Sequence, residues 1–534
     1  MLTHFPSLSI PFHPSPAVGF TSVSSNQLPF PSMSRFPFFP SLLLLFWLLP
    51  ASKILADGNS IRDGVRMPAV AGSFYPANPD TLRRWVGEFL RTAVATPIRD
   101  GIVGVVAPHA GYPYSGWVAG ETYRQLEGRK YDAVIIIAPS HYRYFYGASV
   151  FNGVGYATPL GVARVDTALA RLVATGQKNV GFSDLGHRWD SASPEHSIEV
   201  QLPFLQTVLP GVPVVPVVMG SQDFPTVDRL MRAVVGAVRA ARKRVLLVAS
   251  SDLSHYHRAD TAAGLDSSVI AAFSRFDYHL MGMRLFGKQW EACGGGPVMA
   301  VMMAAEQLGG TVARPLRYMN SSQVAAGASR PDRVVGYMSG VIVAGAGANS
   351  PHFLLPSLTE AERAGLLRVA KAMVEASVNG ATPPTYRPLT AGLAAEYPAF
   401  VTLTKRKALR GCIGYVIPDG SLLATVQRVA PMAALKDSRF QPVSPAELPE
   451  LEYEVTVLSR FQRVLDTAQI QPGRDGVYLR VGTTTGIFLP QVATEQGWGR
   501  ATLLHQLGQK AGLDAEAFRR EDAELYRFEA VKIE

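Results

Sequence analysis

Four short apolar runs, each leading into a polar or glycine-bearing turn, constrain the fold of this chain most. They lie at residues 101–106, 133–138, 213–219 and 245–248. Apolar runs of this length without polar alternation are typical of strands that are covered on both faces. Stretches with helical periodicity lie before the first run and between the others, at 80–92, 115–126, 196–209 and 226–243. Strands that alternate with helices predict an α/β domain with a largely parallel sheet.

Histidines follow three of these four runs. His109, His141 and His255 each come shortly after the end of a predicted strand. Because ligands of open α/β sheets bind in the crevice beyond the carboxyl ends of the strands, we expect these imidazoles to converge. A single histidine of this kind is commonly a hydrogen-bonded structural residue. Three at equivalent strand ends favour a metal-binding or catalytic site.

A fourth candidate is Cys293, which three glycines follow before a helix predicted at 297–308. The glycines leave the sulfur sterically open, and a helix N-terminus lowers the pKa of a nearby thiol. The alternative is a buried, small apolar side chain beside a turn. The polar run Glu195–Glu199 also begins a predicted helix. We interpret its side chains first as capping groups and as partners of the ligands, with direct ligation as the alternative.

Short motifs of the first region resemble a known family. They are Ala71–Tyr75, Ala107–Tyr112, Pro139–His141, Glu195–Glu199, Ser250–His255 and Cys293–Gly294. In this order, over residues 62–345, they resemble the Memo family, which is also called AmmeMemoRadiSam system protein B. The resemblance implies an α/β fold like that of the class III extradiol dioxygenases.

The same resemblance implies a metal site. Matched motif by motif, iron or copper would be held by His109, His141 and Cys293, with Asp252 and His255 lining the pocket as candidate catalytic residues. A mixed imidazole and thiolate set suits iron or copper, and also zinc, and disfavours magnesium and calcium. Three protein ligands leave coordination positions open, as catalysis requires. Ring cleavage does not follow from the fold, because a thiolate stands where dioxygenases have a carboxylate.

A joint rich in glycine, alanine and serine, at residues 346–357, precedes a second region at 358–534. Ser357–Glu360 predicts a capping box that begins a helix to about Val378, and alternating strands follow. Together they predict a smaller α+β domain. Its motifs resemble the AMMECR family, AmmeMemoRadiSam system protein A, and are Leu409–Gly414, Ala434–Phe440 and Phe488–Val492.

The role of the second domain stays open at this point. Cys412 follows Arg410, which would favour a thiolate, but a buried structural cysteine is the alternative. Lys436, Asp437 and Arg439 form a polar cluster that suits either an anion or a solvated set of ion pairs. The two cysteines of the chain fall in different domains, so a disulfide framework is not expected.

Residues 1–56 have the pattern of a secretory signal peptide. Arg35 is the first charged residue, an apolar core lies at 36–49, and Ala56 offers a cleavage position. The core is short for a membrane span and contains prolines. We therefore expect export to the periplasm or the extracellular space, with no stable membrane insertion after processing. An uncleaved membrane anchor is the alternative, and Met33 is an alternative start.

The expected function is that of a Memo-like and AMMECR fusion protein that binds a redox metal and acts on a small-molecule substrate. The formal net charge of +9 comes from scattered basic residues, so no nucleic-acid partner is expected. The family names describe a system with a radical SAM protein as a third member. The chain lacks that protein's cysteine triad, so such a partner would be a separate protein. A non-catalytic metal-binding protein and a peptide-binding scaffold on a dioxygenase-like fold are the alternatives.

Overall fold

The computed structural model describes most of the chain beyond residue 60. The described ranges are 61–62, 64–188, 193–324, 331–344, 355–418 and 420–534. The predicted signal peptide at 1–56 and residues 346–354 of the predicted joint lie outside them. Within these ranges, every helix is too short or too polar to cross a membrane.

The first domain alternates strands and helices. Its strands are β1 (Ile61–Arg62), β2 (Val65–Arg66), β3 (Ile102–Ala107), β4 (Ala133–Pro139), β5 (Ala148–Val150), β6 (Gly155–Thr158), β7 (Gly161–Arg164), β8 (Val180–Phe182), β9 (Val214–Met219), β10 (Val245–Ser250), β11 (His255–His257), β12 (Gly310–Asn320) and β13 (Val334–Ala344). Its helices are α1 (Pro79–Arg91), α2 (Tyr112–Arg124), α3 (Thr167–Ala174), α4 (Leu202–Val208), α5 (Phe224–Ala241), α6 (Ala259–Ser274), α7 (Tyr278–Phe286) and α8 (Gly295–Gln307).

The four apolar runs form the centre of a nine-stranded sheet. Its order is β11-β13-β3-β10-β4-β9-β5-β8, and β12 pairs with β13. Strands β3, β10, β4 and β9 are mutually parallel neighbours, whereas β13 and β5 run antiparallel on either side of them. The α/β architecture predicted for this region is confirmed. Because the central strands are parallel, their carboxyl ends share one edge of the sheet.

The second domain is a smaller α+β unit. Its strands are β14 (Ala399–Lys405), β15 (Ala408–Tyr415), β16 (Leu451–Leu458), β17 (Gln462–Arg463), β18 (Gly476–Val481), β19 (Thr484–Phe488), β20 (Ala523–Phe528) and β21 (Ala530–Ile533). Its helices are α9 (Glu360–Val378), α10 (Ala391–Ala394), α11 (Leu422–Leu435), α12 (Pro490–Glu495) and α13 (Arg500–Lys510). The strands form two four-stranded sheets, β15-β14-β16-β21 and β17-β20-β18-β19.

The start of α9 corrects one detail of the sequence analysis. The capping box is formed by Thr359 and Glu362, not by Ser357 and Glu360. The Thr359 hydroxyl accepts from the Glu362 amide, and the Glu362 carboxylate accepts from the Thr359 amide at 2.7 Å. The spacing of a capping box recurs two residues later in this sequence, and the later pair satisfies the first free amides of the helix.

A buried polar interface joins the two domains. Arg463 on β17 pairs with Asp228 on α5 at 2.8 Å, and Arg460 pairs with Glu306 on α8 at 2.8 Å. The amide of Arg463 also donates to the hydroxyl of Tyr278 on α7 at 2.7 Å. The side chains of both ion pairs are less than one-tenth exposed. Removing one partner would leave a buried charge unpaired, so these contacts fix the domains against each other.

Candidate metal centre

The carboxyl edge of the central strands gathers the residues singled out by sequence. His109 follows β3, His141 follows β4 and Asp252 follows β10, while Cys293 directly precedes the Gly294 that caps α8. The ligand atoms of His109, His141 and Cys293 all lie within 4.8 Å of one another. These three residues therefore form a candidate metal-binding site.

Hydrogen bonds fix the tautomer of His109. The Ser250 hydroxyl donates to the carbonyl of Ser197 at 2.6 Å and accepts from Gln201 at 2.8 Å. Its proton is used, so the 2.9 Å contact with Nδ1 of His109 requires Nδ1 to be the donor. The lone pair of His109 is consequently on Nε2, which lies 3.1 Å from the Cys293 sulfur. Burial holds the pKa of His109 well below its usual value, and the nearby imidazoles add to this effect.

Glu195 fixes the position of the Nδ1 proton of His141. Its carboxylate accepts from Nδ1 of His141 at 3.0 Å and from the His141 amide at 2.6 Å. Burial opposes ionisation of Glu195, but the hydrogen bonds and charge of His141 outweigh it and lower the pKa of Glu195 to about 2. An ionised carboxylate accepts only, so Nδ1 of His141 carries a proton, and the neutral ring has its lone pair on Nε2. Burial disfavours a charged His141, yet Glu195 raises its pKa.

Cys293 lies between the two histidines and Asp252. Its sulfur accepts from the Asp252 amide at 3.3 Å, and its own amide donates to the Asp252 carbonyl at 3.2 Å. Burial raises the pKa of this thiol well above its usual value, and the charge of Asp252 adds to the effect. The sequence-based expectation of a lowered pKa is therefore wrong, because burial outweighs the helix terminus. A Cβ on Gly294 would lie 2.2 Å from the carbonyl oxygen of Ser250, so glycine is needed for α8 to approach β10.

Asp252 and His255 lie beside Cys293. The Asp252 carboxylate is 3% exposed and accepts from the amide of His109 at 2.8 Å, and burial raises its pKa. Nδ1 of His255 lies 2.9 Å from the carbonyl of Leu253. A carbonyl can only accept, so the lone pair of His255 is also on Nε2. Asp252, His255 and Cys293 form a second set of ligand atoms within 4.8 Å of one another.

His196 lies beside two of the candidate ligands, in the run that the sequence assigned first to partners of the ligands. Its ring stacks on His141 at 4.8 Å with an interplanar angle of 18°, and it lies 5.6 Å from the ring of His109. Its Nδ1 is buried without a hydrogen-bond partner among the described residues. Burial lowers its pKa to about 4, so the ring is neutral. The run from Glu195 to Glu199 was visible in sequence, but no periodicity showed that its imidazole stacks on His141.

A third set of grouped atoms, from His141, Glu195 and His196, competes with the first as a ligand set. Glu195 is the weaker ligand, because its carboxylate already accepts from His141 and from the amides of His196 and Ser197 at 2.9 Å. The set of His109, His141 and Cys293 keeps two imidazole lone pairs and one ionisable sulfur available. It is the arrangement whose remaining hydrogen bonds already orient the ligands.

A cleft of about 470 Å³ opens on the sulfur side of this site. Cys293 and His255 are part of its lining, and its walls include Leu285, Phe286 and Trp290. Its volume falls in the range of small-molecule sites, ~300–1,000 Å³. A ligand in this cleft would meet the sulfur and His255, whereas His109 and His141 are not part of the lining.

The fold and the site define the class of protein. The family model of Memo-like proteins matches residues 66–341, about half of the chain, and the AMMECR1 model matches residues 367–533. The chain belongs to the Memo-like family and carries a Memo-like domain and an AMMECR1 domain in tandem. The resemblance drawn from the motifs is confirmed.

Individual relatives are known from archaea. A MEMO1 family protein of Methanosarcina barkeri is 38% identical over 280 residues, which cover 52% of this chain and 100% of the relative. One of Methanosarcina mazei is 37% identical and covers 52% of this chain and 99% of the relative. Among solved structures, an uncharacterized protein of Pyrococcus horikoshii matches 32% of this chain and 88% of its own, at 31% identity and a TM-score of 0.30.

Proposed function

We propose that this protein binds a redox metal ion, iron or copper, through His109, His141 and Cys293 and acts on a small molecule in the adjoining cleft. Zinc also fits the donor set. One observation carries the proposal. Both histidines have their Nδ1 protons committed to fixed acceptors, so a metal ion beside the thiol would bind each of them through Nε2. Hydrogen bonds of this kind orient metal-binding imidazoles in proteins generally.

The chemistry of the donors fits such an ion. Two imidazole nitrogens and one sulfur are the ligands preferred by iron, copper and zinc. Burial disfavours the Cys293 thiolate on its own. A bound cation ionises a coordinating thiol, so metal binding would release the proton of Cys293. The affinity for metal should therefore fall as the pH falls.

The bound metal would supply Lewis acidity or one-electron chemistry at the floor of the cleft. Asp252 and His255 are the proposed catalytic residues. His255 holds an unshared lone pair on Nε2, and within the described residues nothing bonds to it, so it can accept a proton from a ligand in the cleft. Asp252 holds the His109 backbone in place and contributes negative charge beside the sulfur.

The cleft favours a catalytic or substrate-binding role over simple metal storage, since a storage site needs no space for an organic ligand. The dioxygenase-like fold, export from the cytoplasm and cooperation with a radical SAM protein are parts of the same proposal. They are motivated by the family motifs and the N-terminal apolar segment.

The test is the metal content of variants purified without oxygen, together with their thermal stability. We expect Cys293→Ala, His109→Ala and His141→Ala to lose most of the bound iron or copper. His255→Ala should retain more metal, because His255 is placed in the pocket and not among the three ligands. A metal that binds only the folded chain raises its melting temperature, so the same variants should lose that increase.

The opposite pattern would overturn the assignment. If Cys293→Ala binds iron and copper like the wild type while His255→Ala binds neither, His255 is the third ligand. If all four variants and the wild type bind no transition metal under these conditions, the metal proposal itself fails.

A further inference from the structure

The cleft beside Cys293 has mostly apolar walls. Leu253, Leu285, Phe286, Trp290 and Ala292 line it. Phe286 is 38% exposed and offers an aromatic face to a ligand, whereas Trp290 is 9% exposed and forms part of the wall. Walls of this kind bind the hydrocarbon part of a ligand, and the few polar groups of such a site fix its orientation.

Two of the polar groups in the lining are already engaged. Gln222 donates to the carbonyl of Cys293 at 2.7 Å and accepts from the Gly296 amide at 2.7 Å. Both carboxylate oxygens of Glu291 lie 2.9 Å from Nε2 of His257. These side chains hold the walls in place, so they are poor candidates for ligand recognition.

Lys288 differs from them. Across the ranges described by the structure, no hydrogen bond or ion pair involves its ammonium group, although it lines the cleft. Its backbone has a φ of +55°, in the left-handed region that glycine adopts at helix ends. Gly287, directly before it, has a φ of −74°. A non-glycine residue at such a backbone position is uncommon, and glycine would adopt it without strain.

We propose that the cleft binds a small organic carboxylate, with its apolar body against Phe286 and Trp290 and its carboxylate on Lys288. The far end of this ligand would lie at Cys293 and His255. The inference rests on the proposed function for the identity of the site, and it adds the substrate class. Charge complementarity carries it, since Lys288 is the cation of the lining and the other charged side chain there, Glu291, already has a partner.

The experiment uses two probes of the same shape, 4-phenylbutyrate and its uncharged primary amide. Calorimetric titration of the metal-loaded chain should give a tighter complex with the carboxylate by about fivefold, the size expected for a partly exposed ion pair. Lys288→Met should abolish this preference. Lys288→Gly should abolish it too while leaving the melting temperature unchanged or higher, because glycine suits the backbone there.

Two controls separate the contributions. Lys178→Met removes an exposed lysine between α3 and β8 and should keep the preference. Phe286→Ala should weaken both probes by a similar factor, about tenfold, and leave their ratio unchanged. A preference that persists in Lys288→Met would overturn the inference. So would a preference that disappears in Cys293→Ala, because the carboxylate would then be binding to the metal.

The metal content of each preparation keeps this test distinct from that of the proposed function. A chain that binds no metal but still prefers the carboxylate through Lys288 supports the carboxylate site and contradicts the metal proposal. A chain that binds metal but shows no preference for the carboxylate supports the metal proposal and contradicts the carboxylate site.

Discussion

The two cysteines of this chain are alike in their burial and differ in the partners of their sulfur atoms. Both are half-buried, and burial raises the pKa of each thiol. Cys293 lies 3.1 Å from an imidazole nitrogen that has no other partner in the described ranges. Cys412 accepts from the Thr402 hydroxyl at 3.3 Å. The thiol alone therefore does not distinguish a candidate metal ligand from a structural residue.

The neighbours of Cys412 satisfy one another. Arg439 and Asp437 pair at 2.7 Å, Asp437 accepts from the Cys412 amide at 2.9 Å, and Arg439 donates to the Cys412 carbonyl at 3.2 Å. Both charges are thus used to hold the backbone of β15. At the candidate metal centre, by contrast, Nε2 of His141 and Nε2 of His255 have no hydrogen-bond partner among the described residues, and Nε2 of His109 contacts the Cys293 sulfur. The difference teaches that a thiol marks a candidate metal site when it is grouped with imidazole nitrogens free to bind a metal, and not by its residue type alone.

The two cysteines lie in different domains, and the largest expected effect concerns the interface that joins these domains. Asp228→Ala leaves Arg463 buried without its carboxylate, which should cost about 3–5 kcal/mol of unfolding free energy in urea. Asp80→Ala, which removes an exposed ion pair with Arg83, is the matched control and should change little. Two separate unfolding transitions, with only one shifted by Asp228→Ala, would show that the domains are energetically independent.

A second prediction tests whether the hydrogen bond from His141 to Glu195 controls the affinity for metal. Glu195→Gln replaces an acceptor with an amide that can donate to Nδ1, so His141 is no longer held with its lone pair on Nε2. We expect the affinity for metal, measured by competition with a chelator, to fall about tenfold. Glu521→Gln changes a carboxylate that is 62% exposed on the other domain and should leave the affinity unchanged. An unaltered affinity in Glu195→Gln would show that the tautomer of His141 does not control binding.

The smallest effect concerns the two thiols directly. Because burial raises both pKa values, each native thiol is mostly protonated near neutral pH and should react with iodoacetamide more slowly than in the unfolded chain. Both rates should rise with pH as the thiolates form. Iron or copper should slow the alkylation of Cys293 and leave that of Cys412 unchanged, as followed by mass spectrometry. Equal protection of both cysteines would remove the distinction between them.

Local patterns predicted much of this architecture. The apolar runs that became β3, β4, β9 and β10 were recognisable because buried parallel strands lack polar alternation. The family motifs pointed to His109, His141 and Cys293, which the fold brings together. The charge state of Cys293 was predicted wrongly, since burial depends on residues far away in sequence.

The sequence by itself determined the strand and helix order, the two-domain organisation and the residue types of the candidate site, because these follow from local periodicity and short motifs. Only the tertiary structure decided which nitrogens of the site histidines carry protons and that His196 stacks on His141. It also decided that Lys288 lacks a partner among the described residues while Glu291 has one. Those properties depend on hydrogen bonds between residues distant in the chain. Ser250 and Glu195 set the tautomers of His109 and His141 across 141 and 54 positions. No local pattern encodes contacts at such separations, and folding alone creates them.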